Sequence, residues 1–356
     1  MITLDKTGLL AAIKKVMPGV EPGKSTIEGA DTILFTLGFI HTYNGFVAVS
    51  AAFDTQGFEG AVIGKDFFGL LSRLGGMMVT LEVQGNKLKV TDGRTRATMT
   101  MADPSTIKAY VGALNLDQVQ FKPLPGDFAD AFAICKIANN ATPLAGIAVQ
   151  EGERAKVMAT DSVRICTYTM DGPMESTWIE DGMAADMFKL GTPKEYGMAK
   201  PWFHAKYEDG TIYSANTKDP GQYPFGAVDT NVDKVSSAPV KLAGRLPKDI
   251  AEAAGRVAVL ASAAAGDNKS LVRLTFTKDA LELYTSKSTG EASESIAWDS
   301  ELQGDLENPV QAWVSVEFLV EASMKSMDFK LVSAGTFDAL LFTSGSYTQM
   351  VATSSK

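Results

Sequence analysis

Gly19-Val-Glu-Pro-Gly-Lys-Ser25 is the stretch that comes nearest to a chemical motif. A phosphate-cradling loop needs four residues between its two glycines and must follow a strand, so that backbone N–H groups and the lysine converge on phosphate oxygens. Here one residue is missing and the loop follows a helical pattern, so no nucleotide site is expected. The chain has two histidines, His41 and His204, far apart and without ligand spacing near either. That argues against a zinc centre and against a Ser-His arrangement. His41 stands beside an Asn-Gly turn and is expected at the surface. Carboxylates are plentiful, but no pair lies in an apolar, aromatic-lined segment that would raise one pKa for acid–base work. Asp161 and Arg164 form the densest polar feature inside a buried-looking stretch, which reads equally well as a structural turn with a local ion pair. Cys135 and Cys166 sit in apolar stretches and read as buried thiols in a reducing compartment. No catalytic residue, metal or cofactor is assigned.

The elements explain why no such site is needed. One pattern recurs three times at a spacing of about 120 residues, the signature of a repeat architecture. Each copy has an amphipathic helix, a strand pair, a second short helix and another strand pair. Val79 to Met101, Trp202 to Asn216 and Leu271 to Trp298 each alternate apolar and polar residues around Gly, Asn or Asp, as antiparallel hairpins with one buried face do. In the first copy, Leu9, Leu10, Ile13 and Val16 place a helix over Leu4 to Val16, stopped by Pro18-Gly19. Thr32 to Ala51 reads as two strands joined at Tyr43-Asn44-Gly45, and Lys65 to Leu74 as a short helix. Pro104 to Pro125 reads as a connector. The second copy opens at Asp127, an N-cap candidate, with a tight Thr160-Asp161-Ser162 turn between strands and a short helix over Ala184 to Lys189. The third begins near Pro247, with its second helix at Ser315 to Met327 and final strands running to the C-terminus.

Composition agrees with a globular chain of two or three domains: 356 residues, 45% hydrophobic and 21% charged. No run of about 18 apolar residues exists, so no membrane span is expected, and Met1 to Leu10 lacks a signal-peptide core. The expected compartment is the cytoplasm. A net charge of −9 is unlike a protein that grips nucleic acid from one open face, which is usually basic. Any basic surface must be gathered locally against an acidic remainder.

Four places carry a resemblance to a known family. Val79 to Met99, with Gly93-Arg94 and Arg96, resembles the end of the first domain of the bacterial DNA polymerase III β subunit, the replicative sliding clamp. Met158-Ala-Thr-Asp-Ser-Val-Arg-Ile165 resembles that family's Ala-Thr-Asp-Gly-His-Arg-Leu strand-turn-strand. Gly221-Gln-Tyr-Pro224 resembles its Gly-x-Phe-Pro turn. Arg256 to Leu260, then Leu271 to Glu294, resembles the opening helix and hairpin of its third domain. The order and spacing match over nearly the whole chain. Ser162-Val163 departs from the usual Gly-His, and Met350 to Lys356 departs from the family's Met-Pro-Met-Arg-Leu ending, as in a divergent clamp of the kind a bacteriophage encodes.

The resemblance implies an α+β fold of three repeated clamp domains, 1–122, 123–244 and 245–356, with antiparallel sheets outside and helices lining a ring lumen. It implies a homodimer closed head to tail, encircling double-stranded DNA without sequence preference. It implies a processivity factor that tethers a DNA polymerase, meets a clamp loader and performs no catalysis. Lys14, Lys15, Arg73, Lys136, Lys189, Arg256 and Lys325, on helix-like segments, would face DNA, with Lys24 in the loop after the first helix. A hydrophobic cleft for a partner peptide would use Leu144, Thr160, Ser162, Val163, Arg164, Ile165, Val228, Met350, Val351 and Ala352. Two other classes fit a repeated hairpin unit less well: a β-rich phage structural or assembly protein, and an enzyme with an all-β cleft, for which the convergent polar groups are missing.

Overall fold

Period-two alternation of apolar residues dominates the chain, and it becomes antiparallel ladders wherever it occurs. The computed structural model describes residues 1–21, 23, 25–136, 143–261, 271–287 and 290–354. Its helices are α1 (Lys6–Val16), α2 (Gly64–Arg73), α3 (Pro104–Ala113), α4 (Phe128–Lys136), α5 (Asp181–Lys189), α6 (Phe225–Ser236), α7 (Ile250–Ala261) and α8 (Val316–Ser323). Contacts divide the chain into two units, 1–124 with 182–219, and 125–181 with 220–356.

The first unit carries one twelve-stranded antiparallel sheet. Thr32–Thr36, Phe39–Tyr43 and Val47–Ala52 form a meander at its middle. Val47–Ala52 then pairs with Ile212–Asn216, so the first part of the chain and a hairpin from its centre share one ladder. Helix α1 packs against α2 and against this meander, burying Leu9, Ala12, Ile13 and Val16.

The second unit holds a nine-stranded and a four-stranded sheet. In the larger one, Ile147–Gln150, Lys156–Thr160 and Arg164–Thr169 continue into Tyr347–Ala352, Asp338–Ser344 and Asp328–Ser333. In the smaller one, Leu271–Phe276 lies between Ala280–Lys287 and Val310–Ser315, and Gly290–Ala297 forms an edge. Helix α7 packs on this sheet and against α8.

The structure corrects several local expectations. Ile2–Asp5 is a strand paired with Met78–Gln84, and Asp5 caps α1, its Oδ2 accepting from Gly8 N at 2.6 Å. Thr32 to Ala51 holds three strands, because Gly38 at φ 78° supplies a turn ahead of the Asn44-Gly45 one. The stretch read as a connector contains α3: Asp103 Oδ1 accepts from Ser105 N at 2.9 Å, and Pro104 occupies the first turn, where its missing N–H is harmless. Cys135 and Cys166 are buried free thiols, 3.8 Å apart at sulfur.

His41 is half-buried rather than exposed. Its Nδ1 lies 2.8 Å from Ser50 Oγ across the ladder, and its Nε2 lies 3.0 Å from Thr36 Oγ1. His204 repeats the arrangement with Ser214 at 2.8 Å, fully buried, and its Nε2 has no partner. Burial lowers both histidines from 6.5 to about 4. The folded chain therefore keeps both rings neutral while the unfolded chain protonates them, so stability falls as pH drops from 6.5 towards 4. By pH 5 each ring accounts for a loss of about 2 kcal/mol. We expect His41→Asn to shrink the decline in unfolding free energy between pH 6.5 and 5, measured by urea titration, by about 1.5 kcal/mol. An unchanged decline would contradict this account.

Candidate functional site

The described site is built on the turn between Lys156–Thr160 and Arg164–Thr169. Asp161 Oδ1 accepts from Val163 N at 3.0 Å and from Arg164 N at 2.8 Å, closing an Asx-type turn. Thr160 Oγ1 donates to Arg164 O at 2.9 Å, and Ser162 N donates to Thr160 Oγ1 at 3.2 Å. Ser162 sits at φ 72°, left-handed backbone that glycine adopts more readily. The last strand is fastened to the turn by Ala352 N donating to Val163 O at 2.9 Å.

Strand alternation then sorts the side chains. Paired residues of an antiparallel ladder share a face. Ile165 pairs with Met350, and Arg164 pairs with Val351. Ile165 and Met350 face α6, where they join Val228, Val232, Val235, Tyr223 and Leu341 in one apolar cluster. Beside that cluster opens a cavity of about 410 Å³, lined by Leu144, Thr160, Ser162, Val163, Ile165, Pro224, Ala227, Val228, Asn231, Phe337, Met350 and Ala352.

Eight of the expected cleft residues therefore line one cavity. Arg164 and Val351 do not, since they lie on the opposite face of their strands and are buried. The Arg164 guanidinium pairs with Asp161 Oδ2 at 2.8 Å and with Glu321, and it lies 3.8 Å from the centre of the Phe318 ring. Pro224, Ala227, Asn231 and Phe337 were not anticipated. The first three belong to or abut α6, whose Val228, Val232 and Val235 follow helical spacing legible in the sequence. Phe337 lies in a turn with no periodic signal. Tyr223 packs edge-on against Trp178 at 5.2 Å and tilted against Phe225 at 4.9 Å, and burial raises its hydroxyl well above the ordinary tyrosine range.

The cations expected to face DNA are distributed as follows. In the first unit, Lys14 is exposed on α1, and Lys15 pairs with Asp209. Arg73 is exposed at the end of α2, and Lys189 pairs with Asp186 at 2.7 Å in the last turn of α5. In the second unit, Lys136 is exposed at the end of α4, and Lys325 is exposed just beyond α8. Arg256 on α7 clamps Glu294 at 2.6 and 3.0 Å, which holds that carboxyl below its ordinary pKa. Lys24 lies outside the described residues. Among the described residues, no three His, Cys, Asp or Glu side chains could share a metal ion, and no helix is long and apolar enough to cross a membrane.

No protein-family profile matches the chain, and no curated protein matches it in sequence. Solved structures do match along its whole length. The DNA polymerase sliding clamp of Bacillus subtilis superposes with a TM-score of 0.81 at 16% identity, over 99% of this chain and 98% of that one. The Helicobacter pylori beta clamp, solved bound to a DNA ligase peptide, gives 0.81 at 17% identity over 99% of each. The sliding clamp (DNA polymerase III subunit beta) of Bartonella birtlesii, solved bound to griselimycin, gives 0.79 at 14% identity over 100% and 99%. The chain has the sliding-clamp fold, α+β with antiparallel sheets, as its sequence resemblance implied.

The cavity wall is partly core and partly surface, and the two should behave differently. Ile165 is 8% exposed and Met350 6%, within the apolar cluster, whereas Leu144 only packs against its margin. Ile165→Ala and Met350→Ala should each lower unfolding free energy by about 2–3 kcal/mol, against less than about 1 kcal/mol for Leu144→Ala. Denaturant titration of the three variants checks the ranking. Equal losses at all three positions would place the wall wrongly.

Proposed function

We propose that this chain is a DNA sliding clamp, a processivity factor without catalysis of its own. Two copies would close around duplex DNA and tether the replicative polymerase, with a clamp loader placing the ring. The observation that carries the reading is the cavity at the Thr160–Ile165 turn, on a fold matched end to end by clamps. The Helicobacter pylori clamp was solved with a DNA ligase peptide, and an apolar cavity walled by a tight turn and a helix suits an extended peptide with two or three apolar anchors. Leu144, Val163, Val228 and Phe337 would receive the anchors.

We assign three clamp domains, 1–122, 123–244 and 245–356. In support, the middle stretch is hydrogen-bonded on one side to the first through Ile212–Asn216 with Val47–Ala52. On the other side it is bonded to the last through Arg164–Thr169 with Tyr347–Ala352.

Two strand edges support closure of a ring. Thr95–Ala102 pairs with Gly60–Ile63 only through its last two residues, leaving Thr95 to Thr100 open on that side. Gly290–Ala297 is the edge of the four-stranded sheet. Each strand is eight residues long. One carries Arg96 beside Arg94, and the other carries Glu291 and Glu294. A head-to-tail contact between two copies would pair these edges and remove both from solvent.

Helices α1, α2, α4, α5, α7 and α8 carry or abut Lys14, Lys15, Arg73, Lys136, Lys189, Arg256 and Lys325, which would face the duplex. Carboxylates beside Lys15, Lys189 and Arg256 keep that surface weakly attractive, which suits a ring held by topology and free to slide.

Retention on DNA of different topology tests the reading. Loaded protein should stay on closed circular duplex through gel filtration and leave when one cut linearises it. Its binding to linear duplex alone should be weak, with affinity falling by about 0.9 in log K per neutralised phosphate per log unit of salt. Reversing the charges of Lys14, Lys15 and Arg73 together should reduce retention on the circle. Equal retention on cut and closed DNA would overturn the proposal.

A further inference from the structure

We propose that Arg164, and Glu321 acting through it, are positioning residues for the cleft, holding its wall from the side of the sheet that a bound peptide never touches. The inference rests on the reading of the cavity as a peptide site. Its observations are separate from the cavity lining.

The wall in question is the Asp161–Arg164 turn, which presents Ser162 and Val163 to the cavity. Its shape depends on one carboxylate. Asp161 Oδ1 takes both turn amides, Val163 N and Arg164 N, while Oδ2 takes Arg164 Nε at 2.8 Å. Both side chains of that pair are 2% exposed. The buried carboxylate thus meets two amides on one oxygen and the Arg164 guanidinium on the other. Arg164 in turn needs more than one carboxylate edge, because its guanidinium has five donors and is out of water. Helix α8 supplies the rest. Glu321 accepts from a terminal guanidinium nitrogen, and Phe318, one turn earlier, offers its ring face at 3.8 Å.

The geometry makes this a lever rather than a contact. Arg164 and Val351 lie on the face of the sheet that carries α8, opposite the face that carries the cavity. Glu321 therefore reaches the peptide wall only through Arg164 and Asp161. Removing the Glu321 carboxylate leaves a buried guanidinium short of an acceptor, and the arginine must shift towards water or towards Asp161. Either shift disturbs the carboxylate that orients Val163. Glu321 itself is about one-third exposed, so its loss is tolerable to the fold in a way that loss of Arg164 is not.

The test uses the full chain with Glu321→Ala, Glu321→Gln and, as a control on the exposed face of the same helix, Glu317→Ala. Hydrogen exchange reads the turn directly and needs no ligand. Protection of the Val163 and Arg164 amides should fall at least tenfold in Glu321→Ala. It should be largely kept in Glu321→Gln, whose amide oxygen still accepts from the guanidinium, and be unchanged in Glu317→Ala. Calorimetric titration with the Helicobacter pylori DNA ligase peptide should show the same ranking, with a fall of about tenfold for Glu321→Ala, equivalent to ~1.4 kcal/mol. A role limited to stability would lower the melting temperature without confining the exchange change to this turn, and glutamine would not rescue it. Unchanged protection and affinity in Glu321→Ala would overturn the positioning role. Loss of protection in Glu321→Ala, beside a wild-type chain that binds no peptide at millimolar concentration, would overturn the peptide reading instead.

Discussion

The ladder between Arg164–Thr169 and Tyr347–Ala352 is the constraint on which the candidate site depends. It joins strands that lie some 180 residues apart in sequence, and its register decides which side chains meet the cavity. With Ile165 opposite Met350, both enter the apolar cluster under α6, and Arg164 and Val351 are turned to the other face. A slip of one residue would bury Ile165 under α8 and send the guanidinium into the cavity. The ion-pair cluster of Arg164, Asp161 and Glu321 therefore works as a register lock, because the alternative register strands a charge in an apolar cluster.

Much of this was legible in the chain. Alternating residues mark the long hairpins at Val79 to Met101, Trp202 to Asn216 and Leu271 to Trp298, but not short strands such as Ile2–Asp5 or Thr177–Ile179, and the Ala-Thr-Asp turn with the distant Met350 points to eight residues that do share one cavity. Arg164 and Val351 stand in the same runs of consecutive positions, and a strand divides such a run between two faces. Two helices escaped notice for different reasons. The Asp103-Pro104 start of α3 was a valid helix signal, outweighed by the prolines around it. Helix α6 follows the resembling turn at Gly221 to Pro224, and the spacing of Val228, Val232 and Val235 is its sequence mark. Phe337 had no local signal, since its place in the wall comes from the fold alone.

His41 shows the limit of turn-based reasoning. An Asn-Gly turn does lie beside it, but the ladder gives it Ser50 as a cross-strand partner. The same cross-strand His–Ser pairing occurs at His204 and Ser214, where the ring is fully buried.

The charge pattern suits the proposed clamp, which would hold DNA by enclosure. At a net charge of −9, with carboxylates against several of its helix-borne cations, an open surface of this kind would not grip duplex at physiological salt. In the proposed reading two copies close the ring, which makes the solution assembly the point on which the account turns. Light scattering joined to small-angle X-ray scattering measures mass and shape together. The account predicts a particle of twice the 37.9 kDa chain mass with the scattering profile of a hollow ring. A monomer whose mass does not change with concentration, or a dimer without a central opening, would contradict it.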